Sequence, residues 1–332
     1  LDLAISACEA SLPSKCTRCK ITHCSMVKSI LFSANTCKNV LCTFFRVRSI
    51  YTPNPSVLSI NLLVVLSKVK EFIVNIVVNA TILKKKFKNY ILEDSTYKGG
   101  GKKIVMPDGV TVHKLSSNEN PLGYSPKVKQ ALANTLDDLS FYPDNTDIRL
   151  REALVRDFDG ALDADNFITA NSGSEIIDMI SKAFLSENDE VIVSQPCFLP
   201  YTAFTRWMGA TAINVPMTED YDYNLEGILD AITTKTKLIF LASPNNPSGN
   251  YIPLKDLRDF INRLPEHVVL VLDEVYRHFA EAEDYTSGLP FVIEGKNVIA
   301  INSFSKTYGL AGLRVGYCYA PLEISNYMRK IC

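Results

Sequence analysis

The chain has 332 residues, of which 47% are hydrophobic and 21% are charged, and its formal net charge is −1. This ordinary globular balance predicts a sizeable core in one large or two modest domains, and it excludes the strongly basic composition that favours a nucleic-acid partner. The net charge conceals an asymmetry, because residues 1–103 carry 16 Lys and Arg against 5 Asp and Glu, whereas residues 104–332 carry 19 against 31. The second part is typical of a mildly acidic enzyme.

The basic segment 1–103 contains six of the nine cysteines, all within its first 42 residues. Cys16-x-x-Cys19, followed by His23 and Cys24, suggests zinc, but the later cysteines do not supply a second ligand pair at the required spacing. We therefore predict no metal site. The other three cysteines are scattered and indicate no disulfide framework, which favours a reduced, cytoplasmic compartment for the rest of the chain.

Two apolar runs between residues 57 and 78 are separated by charged residues, so no uninterrupted apolar span of about 20 residues exists. Membrane association of residues 57–88 is therefore an alternative and not the expectation. A further interpretation is that residues 1–100 are translated sequence outside the functional protein. Residues 97–103 contain three consecutive glycines and are typical of a linker.

The remainder of the chain alternates between helical and strand periods. Apolar residues recur at helical spacing in 150–158, 225–232 and 254–264. Ser172-Gly173-Ser174-Glu175 predicts the start of a further helix, because a hydroxyl precedes an acidic residue and an apolar run. Apolar, β-rich runs predict strands at 190–193, 212–215, 238–241, 268–272 and 298–301. This alternation predicts an α/β fold with a mostly parallel sheet and helices on both faces.

One lysine lies between two hydroxyls just after the last of these strands. Ser303-Phe304-Ser305-Lys306 follows the run 298–301, and Arg314 arrives eight residues after the lysine, across a turn that contains glycines. Ligands of parallel sheets bind beyond the carboxyl ends of the strands. Lys306 is therefore a candidate reactive amine, and Ser303, Ser305 and Arg314 could all serve one phosphate group.

Polar side chains also follow two other strands. Asp273 and Tyr276 come after the run 268–272, and a carboxylate at the end of a buried strand requires a partner. A protonated ring nitrogen of a cofactor would supply that partner, and a helix cap or a structural ion pair is the alternative. After the run 238–241, prolines on both sides of Asn245 and Asn246 fix a turn that presents the Asn246 amide, although a simple tight turn explains the same composition.

Two further motifs carry weaker signals. The helix that begins near Ser174 could bind an anion through its N-terminal N–H groups, although such helix caps are common. Phe198 follows the run 190–193 and could stack on a cofactor ring or be an ordinary buried aromatic residue. Cys197 has no histidine nearby in sequence, so we do not expect it to act as a nucleophile.

Taken together and in this order, these residues resemble the cofactor-binding set of the fold-type I aminotransferases, which depend on pyridoxal 5′-phosphate. The runs 116–123, 141–144 and 306–314 specifically resemble histidinol-phosphate aminotransferases, and the match extends from about residue 110 to the C-terminus. The resemblance implies three regions: an N-terminal arm at 104–145 that contributes to a small domain and a dimer contact, a cofactor-binding large domain at 146–321, and at 322–332 the start of a small domain that is largely missing.

The resemblance also implies a role for each site residue. Lys306 would hold pyridoxal phosphate as a Schiff base and move the substrate proton, and Asp273 would keep the pyridine nitrogen protonated. Asn246 and Tyr276 would bond the phenolate oxygen of the cofactor, and Phe198 would stack on its ring. Lys306, Asp273 and Tyr276 are thus the expected catalytic residues. Around the phosphate the resemblance implies Ser174, the Glu175 backbone amide, Ser303, Ser305, Arg314 and, from the neighbouring subunit of a homodimer, Tyr142.

The implied reaction is transamination of an amino-acid-like substrate, histidinol phosphate in histidine biosynthesis, with 2-oxoglutarate or glutamate. Asn120 would lie near that substrate. The family's carboxylate-binding arginine belongs to the small domain, and no residue of this chain can be assigned to it. The alternatives are an aromatic aminotransferase, an amino-acid phosphate decarboxylase, or a truncated fragment without catalytic activity.

Overall fold

A computed structural model of the protein describes residues 86–88, 92, 113–144 and 146–331. All of them belong to one structural unit, Lys85–Cys332. The cysteine-rich segment, the linker at 97–103 and most of the apolar segment 57–88 lie outside the described residues, so the interpretations of those parts remain expectations.

The helices and strands of the described residues mostly alternate along the chain from residue 126 onward, with two helices first and two consecutive strands before the last helix. The α-helices are α1 (Pro126–Ala133), α2 (Ile148–Asp157), α3 (Gly173–Phe184), α4 (Pro200–Trp207), α5 (Leu225–Asp230), α6 (Leu254–Arg263), α7 (Leu289–Ile293) and α8 (Leu322–Met328). The strands are β1 (Phe167–Ala170), β2 (Glu190–Val193), β3 (Thr211–Asn214), β4 (Thr236–Ala242), β5 (Val269–Asp273), β6 (Val298–Ser303) and β7 (Gly316–Tyr319).

These strands form one sheet in the order β1-β7-β6-β5-β4-β2-β3. The neighbours from β6 to β3 are parallel, whereas β7 is antiparallel to both β6 and β1. The carboxyl ends of β1, β2, β4, β5 and β6 therefore meet at the same edge as the amino end of β7. Polar residues that follow the parallel strands, or that precede β7, are brought to that edge.

Helices cover both faces of the sheet because successive strand residues point to opposite sides. Along β4, Ile239 and Leu241 pack against α2, α5, α6 and α7, whereas Leu238 and Phe240 pack against α3, α4 and α8. Every residue of β5 is buried. The central strands are thus apolar on both sides, as expected for a sheet covered by two helical layers.

The structure confirms the α/β fold and all five strands expected from the apolar runs, with bounds that differ by up to two residues. It adds β1 and β7, which the sequence analysis missed. Both are four residues long, and β7 begins two residues after Arg314. β7 is the antiparallel member that brings this arginine back to the site edge. None of the helices of the described residues is long and apolar enough to cross a membrane.

Candidate active site

A cavity of about 770 Å³ opens at the edge where the parallel strands end. Its size lies within the range of small-molecule sites. Most of the residues proposed from the sequence line it: Ser174, Phe198, Asn246, Asp273, Tyr276, Ser303, Ser305, Lys306 and Arg314. The sequence-distant motifs therefore converge in space because each follows or precedes a strand of the same sheet.

One wall of the cavity is a buried carboxylate. Asp273, the last residue of β5, accepts a hydrogen bond from the Tyr201 hydroxyl at 2.6 Å through Oδ2 and one from Val275 N at 3.1 Å through Oδ1. Burial raises the pKa of Asp273, and these two hydrogen bonds and the charge of Lys306 oppose the shift. Both donors are neutral, so a cation placed in the cavity would stabilise the ionised carboxylate.

Tyr201 is a site residue that sequence reasoning did not assign. It lies in α4, it is 1% exposed, and its ring stacks on Phe240 at 4.8 Å. Burial raises its pKa well above the usual value, with the Asp273 charge as a further cause, so the hydroxyl remains a donor. Its position three residues after Phe198 was the available signal, but an aromatic residue on a buried helix face is more commonly part of the core.

Another part of the cavity wall is suited to an anion. The N-terminus of α3 presents Ser172, Gly173 and Ser174 to the cavity, and the first N–H groups of a helix have no partner within the helix. β7 can approach this turn only because residue 316 is glycine: a Cβ there would lie 2.4 Å from Gly173 N. The same wall receives the buried hydroxyls of Ser303 and Ser305 and the side chain of Arg314.

Lys306 lines the same cavity. Its Nζ donates to the backbone carbonyls of Ser117 at 2.7 Å and Asn118 at 3.2 Å. Burial lowers the pKa of Lys306, Arg314 lowers it further, and Glu119 and Asp273 oppose the shift. A neutral amine is therefore available at a lower pH than for an exposed lysine.

Tyr276 and Asn246 lie on the β5 and β4 loops that border the same cavity. The Tyr276 hydroxyl accepts a hydrogen bond from Asn118 Nδ2 at 3.0 Å. Burial raises the pKa of Tyr276, and the Asn118 hydrogen bond opposes the shift. Phe198 packs edge-on against Tyr201 with ring centroids 5.7 Å apart, so its position is fixed by the residue that bonds Asp273.

Three residues of the predicted set do not line the cavity. The Glu175 carboxylate turns back and accepts a hydrogen bond from Asn171 N. Tyr142 is 99% exposed, and a role for it requires a second subunit. The Asn120 amide donates to the backbone carbonyls of Lys306 and Thr307, so its donor group bonds the loop that carries Lys306.

A second buried carboxylate lies beside Asp273 and was not assigned from the sequence. Glu274 is fully buried and accepts hydrogen bonds from Tyr319 Oη at 2.8 Å and Gly288 N at 2.9 Å, and Arg277 lies 3.3 Å away. These contacts fix the loop that carries Tyr276. The position of Glu274 at the end of a strand was the available signal for a buried carboxylate. The sequence does not indicate, however, which of the adjacent acids Asp273 and Glu274 faces the cavity.

Neither metal nor thiol chemistry gains support from the described residues. No group of three or more His, Cys, Asp or Glu side chains within them could hold a metal ion. Burial raises the pKa of the Cys197 thiol to about 11, so the thiol is protonated at neutral pH. This agrees with the expectation that Cys197 is not a nucleophile.

Comparison with known proteins identifies the family of this chain. The model of the family "Aminotransferase class I and II" matches residues 110–332. The chain belongs to this family. The histidinol-phosphate aminotransferase of Akkermansia muciniphila is 40% identical over 217 residues, which cover 65% of this chain and 59% of that protein.

Solved structures of the same kind share the fold. The histidinol-phosphate aminotransferase of Sinorhizobium meliloti, solved in complex with pyridoxal 5′-phosphate, has a TM-score of 0.61 and 29% identity, covering 65% of this chain and 58% of that one. A Thermus thermophilus aspartate aminotransferase solved with maleate has a TM-score of 0.60 and 27% identity, with 65% and 59% covered. The chain thus spans about three fifths of the length of the relatives it matches.

Proposed function

We propose that this chain binds pyridoxal 5′-phosphate at Lys306 and serves transamination, with histidinol phosphate as the amino donor and 2-oxoglutarate as the acceptor. The observation that carries the proposal is the convergence on one cavity of a lysine amine, a buried carboxylate and an anion-binding helix end. When bound, the cofactor supplies an electron sink that stabilises negative charge at the substrate carbon.

The residues present fit this cofactor at both of its ends. A phosphate requires several donors and positive charge, which the start of α3, Ser303, Ser305 and Arg314 supply. A protonated pyridine nitrogen requires a buried acceptor, and Asp273 is a carboxylate whose present donors are neutral. Burial without a paired cation raises the pKa of Asp273, which a cation at this point would reverse.

Each remaining side chain then has a separate task. Lys306 is the attachment point and, when its amine is free and neutral, the group that accepts and returns a substrate proton, because its lowered pKa makes the neutral base available at a lower pH than for an exposed lysine. Asn246 and Tyr276 are the polar groups available to the phenolate oxygen, and Phe198 is the aromatic ring available for stacking. Tyr201 holds Asp273 in place as an acceptor.

The choice of histidinol phosphate is supported by the 40% identical relative of that activity. An aromatic amino donor and decarboxylation of an amino-acid phosphate are the competing reactions. We further propose that the chain acts as a homodimer in which Tyr142 contributes to the phosphate site of the partner. Tyr142 is almost completely exposed and Phe141 is largely exposed, which supports a contact of these side chains with a second subunit.

The cofactor part of the proposal is tested by reductive trapping. The purified 332-residue chain is incubated with pyridoxal phosphate, reduced with borohydride and digested with trypsin. The cofactor mass should be found on peptide 297–314, because a modified Lys306 resists cleavage and the flanking sites at 296 and 314 remain. A folded chain that yields no adduct, or an adduct only at other lysines, would contradict the proposal.

The substrate part is tested by adding amino donors to the loaded chain. Histidinol phosphate, phenylalanine and phosphothreonine are compared by the loss of the visible absorbance of the bound cofactor and by the products formed. We expect the fastest conversion with histidinol phosphate and release of its 2-oxo product. Faster conversion of phenylalanine would favour the aromatic alternative, and carbon dioxide release from phosphothreonine would favour the decarboxylase.

A further inference from the structure

Residues 306–309, which follow β6 and which we call the lysine loop, are covered by a short segment that precedes α1. We call residues Ser117–Gly123 the strap. Its residues are exposed except for Asn120, which is half-buried. The strap therefore has little apolar packing of its own, and its position depends on a few polar contacts with the loop that follows β6.

The Asn120 side chain makes the central contact between the strap and the lysine loop. Its Nδ2 donates to the backbone carbonyls of Lys306 at 3.2 Å and Thr307 at 3.0 Å, while its Oδ1 accepts from Leu122 N at 2.9 Å. Both ends of the amide are thus engaged, one by the lysine loop and one by the strap. An aspartate here would turn an acceptor toward two carbonyl oxygens, which is unfavourable.

The position of the strap determines what the lysine amine contacts. Ser117 and Asn118 have φ angles of 73° and 48°, in the left-handed region that Asn tolerates better than most residues. This conformation presents both carbonyls to Lys306 Nζ, which donates to them at 2.7 and 3.2 Å. Two carbonyl acceptors stabilise the protonated, unattached form of the amine.

The far end of the strap rests on a glycine of the same loop. Gly309 has a φ of 68°, and a Cβ added to it would lie 2.1 Å from Gly123 O. Only glycine permits this approach. The loop 306–309 is therefore contacted by the strap at three points: the lysine amine, the backbone at Lys306 and Thr307, and Gly309.

We propose that Asn120 is a positioning residue that fastens the strap to the lysine loop, so that the Ser117 and Asn118 carbonyls hold the Lys306 amine whenever it is free of the cofactor. The part of this proposal that concerns turnover rests on the proposed function. The contact itself belongs to the cofactor-free chain. This assignment differs from the substrate contact expected for Asn120 from the sequence.

The proposal implies a change in one equilibrium of the loaded chain. If an alkylammonium ion displaced Lys306 from the bound cofactor, a carbon–nitrogen bond to the incoming nitrogen would form and the bond to Lys306 Nζ would break. The protons that the incoming ammonium group gives up would be taken up by Nζ, which would then be an ammonium group itself. The strap carbonyls stabilise the resulting ammonium group, so loosening the strap should make displacement less favourable.

The first test uses the cofactor-free full chain and the labelling rate of Lys306 by acetic anhydride, measured by peptide mass relative to the exposed Lys255. In Asn120→Ala and Asn120→Asp we expect Lys306 to react about fivefold faster, as the loss of hydrogen bonds of about 1 kcal/mol in total allows. Asn134→Ala is the matched control, because among the described residues the side chain of this exposed amide bonds only to Gln130. An unchanged labelling rate in correctly folded Asn120 variants would overturn the proposal.

Gly309→Ala provides an independent second variant in case the Asn120 variants do not fold, as judged by circular dichroism. It leaves Asn120 intact but pushes Gly123 away, so it should raise the labelling rate in the same direction. An unchanged rate in folded Gly309→Ala would contradict the dependence of Lys306 on the strap.

The second test uses the loaded chain and the equilibrium constant for displacement of Lys306 by methylamine, followed by the visible absorbance of the cofactor. We expect a decrease of about three- to tenfold in Asn120→Ala, and no change in Asn134→Ala. A role in stability alone would lower the melting temperature without this decrease, and that result would overturn the positioning role. If the wild-type chain forms no adduct at Lys306, the proposed function fails, while the labelling experiment still decides whether the strap holds the amine.

Discussion

The candidate site is assembled from two regions of opposite character. At the sheet edge, every residue of β5 is buried, and Asp273, Ser303 and Ser305 are each less than 10% exposed. In residues 113–144, which contain the strap and α1, the side chains are by contrast exposed. No residue of α1 is buried, and Leu115, Leu122 and Tyr142 are more than 90% exposed. Lys306 lies where the two regions meet.

The two regions are therefore suited to different tasks. Residues on a closely packed sheet are held in one geometry, which suits the recognition of a cofactor with fixed dimensions. A segment held by a few hydrogen bonds opens at a much lower free-energy cost, which suits the control of access to a reactive amine. We therefore expect substitutions at the sheet edge to affect cofactor affinity strongly, and substitutions in the strap to affect mainly the state of Lys306.

The largest effect should come from Lys306→Ala, which removes the amine and leaves both regions in place. The cofactor adduct on peptide 297–314 should disappear, and any transamination half-reaction should slow by about 10²- to 10⁴-fold, the usual contribution of a positioned proton-transfer group. Lys255→Ala, on the exposed face of α6, is the control. Retention of a borohydride-stable adduct on the same peptide would assign the attachment to another group.

Asp273→Asn should have the next largest effect on cofactor binding. Removing one partner of a buried charge pair costs about 2–5 kcal/mol, so the affinity for pyridoxal phosphate should fall by at least about 30-fold. Fluorescence or absorbance titration measures this change. An affinity within a factor of three of wild type would indicate that the cofactor nitrogen does not pair with this carboxylate.

In the cofactor-free chain, Asp273→Asn should be favourable, because it should raise the stability of the fold near pH 7. Burial raises the folded-state pKa of Asp273 above the unfolded value of about 3.9, so ionisation of this group opposes folding. The cost is absent below the unfolded pKa and complete above the folded pKa. Without cofactor, Asp273→Asn should therefore melt at a higher temperature than wild type near pH 7, and the difference should shrink as the pH falls toward 4 and vanish at lower pH. A constant difference across this range would exclude ionisation as its cause.

The rigid region was largely predictable from the sequence, and the physical reason is periodicity. Apolar runs identified β5 and β6, and parallel strands bring the residues after them to one edge, so Asp273 and Lys306 could be assigned to one site from the sequence. Asn246 and Arg314 were also indicated by their positions after strands, and the family resemblance assigned their roles. The short strand β7, which carries Arg314 back to this edge, was missed because its sequence Gly-Tyr-Cys-Tyr lacks the aliphatic run that identified the equally short β2.

The contacts of the strap could not be predicted in the same way. Asn120 bonds backbone carbonyls 186 and 187 residues away, and no side-chain pattern encodes an acceptor that every residue possesses. Tyr201 presented a similar difficulty, since the sequence does not distinguish the aromatic residue that bonds Asp273 from one that only packs. Position in the chain predicted which residues reach the edge, but not how each polar group is satisfied there.

Tyr201→Phe should have an intermediate effect, because it removes one donor to Asp273 and retains the ring that stacks on Phe240. A hydrogen bond to a charged group contributes about 1.5–3 kcal/mol, so the cofactor affinity should fall by at least about tenfold. Tyr327→Phe, a substitution of the same type at an exposed position of α8, should leave the affinity unchanged. Equal affinities for the two variants would show that the hydroxyl does not support the carboxylate.

The smallest effect should come from Asn118, where two substitutions separate the side chain from the backbone. Asn118→Gly removes the hydrogen bond to Tyr276 and still accepts the φ of 48°, whereas Asn118→Ala removes the bond and also strains the backbone by about 1 kcal/mol. We expect the cofactor affinity to fall about threefold in the glycine variant, as the loss of one neutral hydrogen bond predicts, and further in the alanine variant.

Lys306 labelling distinguishes the two Asn118 variants more sharply than affinity does. The glycine variant should retain a slow labelling rate, because the Ser117 and Asn118 carbonyls can remain in place, whereas the alanine variant should label faster as its backbone departs from the left-handed conformation. Equal rates in both variants would mean that the strap backbone does not depend on this conformation. In that case the strap would not hold Lys306, and only the sheet edge would determine its position. The proposed difference between a rigid sheet edge and an adjustable strap would then be wrong.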